Sequence, residues 1–229
     1  MIKDPARLTI KRSWPRTNLV ALDRLAGAQT GHIVDALMGR GALDAAIKPL
    51  DPARAQFVGL ALTCEPFADD NLAILAALAV AKPGDVIVAA ADGFARTAVV
   101  GNNVAMMAKN AGVRAIVVDG MARDLDGIVA AGLPVFARGI TPNSCVKSGP
   151  GRVGLPIVAA GVAIAAGDIV IGDRDGVVAF PVSQLEAVAA NLDEIRRTEA
   201  ELQAQIAVGL THTDMIAAVL KNDAVAWID

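Results

Sequence analysis

The sequence predicts an α/β fold with a partly parallel sheet, and three observations lead there. Strand-length apolar runs alternate with helix-length segments through the middle of the chain. A glycine follows each of the central helical segments: Gly84, Gly112 and Gly132. An Asp-Gly pair, Asp175-Gly176, lies between two short apolar runs and marks a separate hairpin.

The elements follow in order. Residues 1–18 are polar and irregular and are expected to form an N-terminal arm. From Leu19 to Arg40, Leu19, Leu22, Leu25, Ile33, Ala36 and Leu37 recur at helical spacing, interrupted by Gly27 and Gly31. Phe57 to Leu62 reads as a strand, and Asn71 to Ala81 as a helix ended by Pro83-Gly84. Asp85 to Ala90 is a strand, Ala98 to Val100 a short apolar stretch, and Asn103 to Asn110 a helix. Arg114 to Val118 is the next strand, Asp124 to Ala131 the next helix, and Pro134 to Ala137 a further strand. The hairpin pairs Ile169–Gly172 with Val177–Phe180. Helices fill 183–229, a polar one over Ser183 to Val208 and a short one over Thr213 to Lys221. Gly84-Asp85-Val86-Ile87-Val88 is echoed by Gly167-Asp168-Ile169-Val170-Ile171, which suggests two similar strand entries or two sheets with related edges. A single domain over 1–229 is expected, since no linker and no repeat period divides the chain.

Composition narrows the function classes. Apolar residues make up 54% of the chain but aromatics only 3%, so the core must be filled by small and branched side chains. No run is long and apolar enough to span a bilayer, and Met1 to Pro5 has no apolar signal-peptide region, so a cytoplasmic protein without membrane association is expected. The net charge is −3 and Arg7, Lys11, Arg12 and Arg16 form only a mild cluster, which disfavours direct nucleic-acid binding. Cys64 and Cys145 are expected to be free thiols.

Two segments could carry chemistry. Gly101-Asn102-Asn103-Val104 follows an apolar stretch and opens a helix, where unpaired amides and the helix dipole favour a carboxylate or phosphate. The same residues also suit an ordinary cap. Asp119-Gly120-Met121-Ala122-Arg123-Asp124 follows a strand, the place where α/β sheets collect ligands. Arg123 offers a planar fork for a carboxylate or enolate oxygen, and Asp124 a hard oxygen ligand for Mg²⁺ or Mn²⁺. Read from residue types alone, Asp124 serves equally well as a metal ligand or as the N-cap of the next helix. Other signals carry less. Gly149-Pro150-Gly151-Arg152-Val153-Gly154 matches a dinucleotide motif by letter but lacks its flanking strand and helix, and reads as a mobile loop. His32 and His212 are too few for a multi-histidine zinc site, and Ser144-Cys145 has no nucleophile-elbow context.

Gly101-Asn102-Asn103-Val104, Val117-Val118-Asp119-Gly120 and Arg123-Asp124-Leu125-Asp126 together resemble the signature of the RraA-like family, which includes 4-hydroxy-4-methyl-2-oxoglutarate and 4-carboxy-4-hydroxy-2-oxoadipate aldolases. Asp35-Ala36-Leu37, Pro156 to Val162, Gly167 to Asp173, Gly176-Val177-Val178 and Pro181 extend the resemblance over about residues 20 to 205. The resemblance implies a layered α/β/β/α sandwich with a swivelling-domain-like core, assembled as a homotrimer or homohexamer. It implies a class II pyruvate aldolase with oxaloacetate decarboxylase side activity: Asp124 holds Mg²⁺ or Mn²⁺, Arg123 steadies the pyruvate or enolate, and the loop Gly101, Asn102, Asn103, Val104 holds the substrate carboxylate. Asn102 stands where the aldolases usually carry an acid, placed to hydrogen-bond a metal-held water, and Gly127 stands where another acid is usual, with Asp126 one residue short. An acid from a neighbouring subunit would match Glu199, Glu201 or Asp35. The alternatives are a non-catalytic regulator that binds ribonuclease E, a lyase for a different 2-oxo acid, and an S-adenosylmethionine methyltransferase, for which no glycine-rich loop follows a first strand.

Overall fold

The central sheet grows outward from four parallel strands whose side chains alternate between two cores. The computed structural model describes residues 5–222 and 225–228. The first four residues of the expected N-terminal arm, and residues 223, 224 and 229 of the expected C-terminal helices, lie outside the described residues. In chain order the strands are β1 (Leu8–Ile10), β2 (Lys48–Pro49), β3 (Phe57–Pro66), β4 (Asp85–Val100), β5 (Ala115–Ala122), β6 (Val135–Ala137), β7 (Gly139–Ile140), β8 (Gly151–Val153), β9 (Ile157–Ala159), β10 (Val162–Ile164), β11 (Ile169–Gly172) and β12 (Val177–Phe180). The helices are α1 (Thr30–Ala36), α2 (Leu72–Val80), α3 (Asn102–Asn110), α4 (Leu125–Ala131), α5 (Leu185–Ala207) and α6 (Asp214–Leu220).

The main sheet has the order β1-β8-β3-β4-β5-β6-β2. Its centre, β3-β4-β5-β6, is parallel, because α2, α3 and α4 carry the chain back between successive strands. β8 and β2 add antiparallel edges, and β11 runs antiparallel along the first half of β3 before pairing with β12.

The period-2 pattern sorts side chains into layers. On β4, Ile87, Ala89 and Ala91 face the core shared with α2, α3 and α4, while Val86, Val88 and Ala90 face the opposite core with Phe136, Ile157 and Ile164. On the β11–β12 hairpin, Val170, Val177 and Ala179 face that second core, and Ile169, Ile171, Val178 and Phe180 face a third core with Ile33 of α1 and Leu185, Val188 and Leu192 of α5. The result is helices, sheet, a second β layer of the β9–β10 and β11–β12 hairpins, and helices again. Alanine at Ala73, Ala77, Ala105 and Ala108 lets α2 and α3 lie close on the sheet, which is how a chain poor in aromatics fills its interior. Among the described residues no helix is long and apolar enough to cross a membrane, and Cys64 and Cys145 are free thiols.

Four local expectations are corrected. Leu19 to Arg40 is not one helix: a 3-10 turn over Leu19–Leu25 and α1 are separated by Gly27 in the left-handed region (φ 66°). Within the arm, Leu8–Ile10 forms an edge strand on β8. The Gly-rich segment 149–154 is not a mobile loop, because Gly151–Val153 sits inside the sheet between β1 and β3. Gly151 is needed there: a Cβ would come within 2.9 Å of the Ala73 Cβ. Finally, Asp85 to Val100 is one strand, bulged where Asp92 and Gly93 take positive φ, and β5 runs on through Asp119-Gly120 to Ala122.

Candidate active site

Parallel pairing sets the ends of β4 and β5 side by side, and the candidate site lies just beyond them. The Arg123 amide donates to the Val100 carbonyl at 3.0 Å, fixing the two exits together. Gly101 then occupies the N-cap of α3 with no side-chain cap. The first intrahelical bond is from the Ala105 amide to the Gly101 carbonyl, 3.1 Å, so the amides of Asn102, Asn103 and Val104 have no acceptor within the helix.

Asp124 is the N-cap residue of α4, yet its side chain caps nothing. Its backbone is left-handed (φ 59°, ψ 47°), a conformation that costs a residue other than glycine about 1 kcal/mol or more and that aspartate tolerates better than most. That conformation turns the carboxylate toward the glycine loop: a Cβ on Gly101 would stand 2.8 Å from Asp124 Oδ2 and 3.5 Å from Arg123 Nε. A side chain at 101 would therefore have to displace the Asp124 carboxylate from this crossing. Arg123 Nε lies 3.5 Å from Asp124 Oδ2, and its Nη1 donates to Ser144 Oγ. Asp124 is 52% exposed, so the carboxylate is open to solvent and to a ligand.

These groups line a cleft of about 280 Å³ with Asn71, Leu75, Lys147 and Cys145 among its other walls. The cleft loop 143–149 is held by the buried Asp70, which accepts from the amides of Ser148, Gly149 (2.8 Å) and Leu72 (2.7 Å). Burial raises the Cys145 thiol pKa, and the neighbouring Asp70 and Asp69 add to that rise. A larger recess, about 860 Å³, includes Arg54, Arg114 and Arg174. It lies at the starts of β3, β5 and β6, and its buried acid, Asp173, is engaged by the Thr30 amide and hydroxyl. The chemistry of the smaller cleft is better matched to a reacting substrate, since its carboxylate caps no amide and is half exposed.

Of the residues singled out from the sequence, Gly101, Asn103, Val104, Arg123 and Asp124 meet along the cleft. Asn102 does not line it. Its side chain instead covers Gly127 on α4, where an added Cβ would be 2.7 Å from Asn102 Cγ. The two positions that depart from the aldolase pattern are thus in contact, and Asn102 fills the space that a side chain at 127 would need. In its own chain the Asn102 side chain thus faces α4 and not the cleft. Asp119, at the head of the second motif, faces the other core: it is buried, pairs with Arg138 and accepts from the Ala160 amide at 2.7 Å. Glu199 lies against the His32 ring, Glu201 pairs with Arg197 at 2.9 Å, and Asp35 lies on α1; none of the three lines the cleft of its own chain. Asn71, Ser144 and Lys147 come from segments that local pattern marks only as helix start and connection. The one sequence signal for Asn71 was its place in the polar run Asp69-Asp70-Asn71 ahead of an apolar helix.

Asp124 could supply one ligand to a hard divalent ion. Its oxygens are uncommitted to capping and adjoin open volume, and Mg²⁺ is commonly held through one or two carboxylates plus water. Among the described residues no three His, Cys, Asp or Glu side chains gather into a cage, so water would complete such a shell.

Comparison with known proteins places this geometry. The RraA-like family model, described as Aldolase/RraA, matches residues 30–179. A Halalkalibacterium halodurans protein provisionally named a 4-hydroxy-4-methyl-2-oxoglutarate aldolase is 41% identical over 176 residues, covering 77% of this chain and 82% of that one. A Thermus thermophilus 4-hydroxy-4-methyl-2-oxoglutarate aldolase is 31% identical over 128 residues, 56% of this chain and 77% of its own. The crystal structure of Streptomyces coelicolor RraAS2, described as an unusual member of the RNase ES inhibitor RraA family, superposes with a TM-score of 0.73 at 27% identity, covering 83% of this chain and 99% of that one. Motif, fold and relatives agree, and the chain belongs to the Aldolase/RraA family.

Proposed function

We propose that the protein is a divalent-metal-dependent lyase that cleaves a 4-hydroxy-2-oxo acid to pyruvate and a second oxo acid. The observation that carries the reading is the left-handed Asp124, whose carboxylate declines its capping role and lies against Gly101 in a cleft shared with Arg123. A metal bound at Asp124 would act as a Lewis acid on the 2-oxo group.

The protein groups supply binding and charge stabilisation. The amides of Asn103 and Val104, at the positive end of α3, suit the C1 carboxylate. Arg123, held in place by Ser144, donates to the oxygen on which negative charge grows as the C3–C4 bond breaks. The bonding pair passes to C3 and is delocalised as the pyruvate enolate, while C4 becomes the carbonyl of the second product. Among the described residues Asp124 is the only carboxylate in the cleft lining of its own chain and no histidine joins it, so the C4 hydroxyl proton leaves through cleft water, toward solvent or an acid of a neighbouring subunit. Protonation at C3 then gives pyruvate. Oxaloacetate would yield the same enolate by losing CO₂, which accounts for the expected decarboxylase side activity. Lys147, at the cleft wall, suits a further carboxylate on the substrate. Supporting the reading are the aldolase relatives; the resemblance to RraAS2 supports a regulatory role equally at the level of fold, but such a role needs neither Arg123 nor Asp124 in a cleft.

The test is pyruvate release from 4-hydroxy-4-methyl-2-oxoglutarate and from oxaloacetate with Mg²⁺ or Mn²⁺, with EDTA, and with Asp124→Ala. Turnover should need the metal and vanish in the variant. Equal rates in all three conditions would overturn the proposal.

A further inference from the structure

Asn71 presents an unusual situation in the same cleft. It occupies the N-cap of α2, where an asparagine side-chain oxygen ordinarily accepts from a helix amide, but it makes no cap bond. The neighbouring Asp70 takes that role through its bond from the Leu72 amide, 2.7 Å. The Asn71 amide orientation is fixed instead by Nδ2, which donates to the Val99 carbonyl at 3.2 Å. Turning the amide over would set two oxygens against each other. Oδ1 is left buried with no donor, on a residue only 7% exposed that lines the cleft. A buried acceptor without a partner costs about 1–3 kcal/mol, so such groups are rare unless a partner arrives from outside.

We infer that Asn71 is a substrate-recognition residue whose Oδ1 accepts the hydrogen bond of the C4 hydroxyl. The inference rests on the lyase reading above and sharpens it. At neutral pH a 4-hydroxy-2-oxo acid carries ionised carboxylates and an oxo group, all acceptors; its hydroxyl is its one donor. Of the cleft's other side chains, Arg123 and Lys147 are donors, Ser144 already accepts from Arg123, and the Asp124 carboxylate is reserved for the metal on the lyase reading; Asn71 Oδ1 is a buried acceptor left without a partner. The buried, unpaired acceptor of the cleft thus matches the single donor of the substrate. The amide oxygen is too weak a base to take the proton, so Asn71 selects and orients the hydroxylated substrate on binding, and the hydroxyl turns its proton to cleft water before the C3–C4 bond breaks. It discriminates against 2-oxo diacids of the same length that lack the hydroxyl, because binding those would leave Oδ1 buried and unpaired.

The experiment compares one pair of ligands on two proteins. Wild type and Asn71→Leu are assayed with 4-hydroxy-2-oxoglutarate as substrate, to obtain its Michaelis constant. The same proteins are assayed with 2-oxoglutarate as competitive inhibitor, to obtain its inhibition constant. Pyruvate affinity by calorimetry checks that the rest of the site is intact. Wild type should prefer the hydroxylated acid by about tenfold or more, and in Asn71→Leu the preference should fall to about unity while pyruvate still binds. A preference that persists in the variant, or that wild type lacks, overturns the role of Asn71. A wild type that lacks the preference overturns the role of Asn71 even if Asn71→Leu fails to fold. Wild type that cleaves no 4-hydroxy-2-oxo acid at all would instead overturn the lyase reading beneath it.

Discussion

Three aspartates at the ends of strands have different fates. Asp85 and Asp168 open β4 and β11, each after a glycine with positive φ (Gly84, 90°; Gly167, 97°). Each folds its carboxylate back onto the amide three residues earlier: Asp85 accepts from Lys82 and Asp168 from Ala165, both at 2.8 Å. Asp85 is fully buried and also paired with Arg16. Asp124, at the exit of β5, has the same chance to satisfy amides at the start of α4 and leaves it unused. The entries commit their carboxylates to making turns. The exit keeps its carboxylate open, with a strained backbone as the consequence, and that contrast locates function better than the size of any recess.

The contrast can be broken in order of expected effect. Asp124→Ala should lower kcat by about a thousandfold while changing folding stability by less than about 1 kcal/mol, as read by steady-state kinetics and urea unfolding. Asp85→Ala should do the reverse: it strands Arg16 and the Lys82 amide and should cost about 3 kcal/mol of stability, with activity per folded molecule kept. Gly127→Glu should cost about 1–3 kcal/mol because its side chain would enter the space of Asn102, and adding Asn102→Gly should recover most of the loss in a double-mutant cycle. The smallest effect is on pH. Burial holds the Asp168 carboxyl above the ordinary carboxylate range, opposed by its bond from the Ala165 amide. With its folded value above its unfolded one, the group stabilises the fold most below the ordinary carboxylate pKa and loses that contribution as pH rises through the folded value. Asp168→Asn keeps the acceptor and should flatten this fall in stability, measured by urea unfolding at closely spaced pH values from about 3 upward.

Much of the scaffold was legible from local patterns. The β11–β12 hairpin matches the Asp-Gly reading, and α2, α3 and α4 begin and end within about a residue of the helices expected from apolar period and trailing glycine. What escaped depended on distant partners. Gly151–Val153 is a strand only because β1 and β3 flank it, and a Gly-Pro-Gly composition otherwise signals a loop. The sequence motifs brought Gly101, Asn103, Val104, Arg123 and Asp124 to one cleft, since adjacent parallel strands release their loops on the same edge. Asn71 and Ser144 joined through Asp70 and Arg123, contacts between segments tens of residues apart that no local pattern announces. The direction of the Asn102 side chain depended on the missing Cβ at Gly127, a feature of packing between two helices.

The central claim is that the carboxylate at the β5 exit, which caps no amide, and not those at the strand entries, which are bonded to backbone amides, holds a divalent ion. Electron paramagnetic resonance of Mn²⁺ titrated into the full chain tests it without turnover. Wild type and Asp168→Asn should bind Mn²⁺ alike, and Asp124→Asn should lose at least about tenfold in affinity. Equal Mn²⁺ binding by wild type and Asp124→Asn would contradict the account.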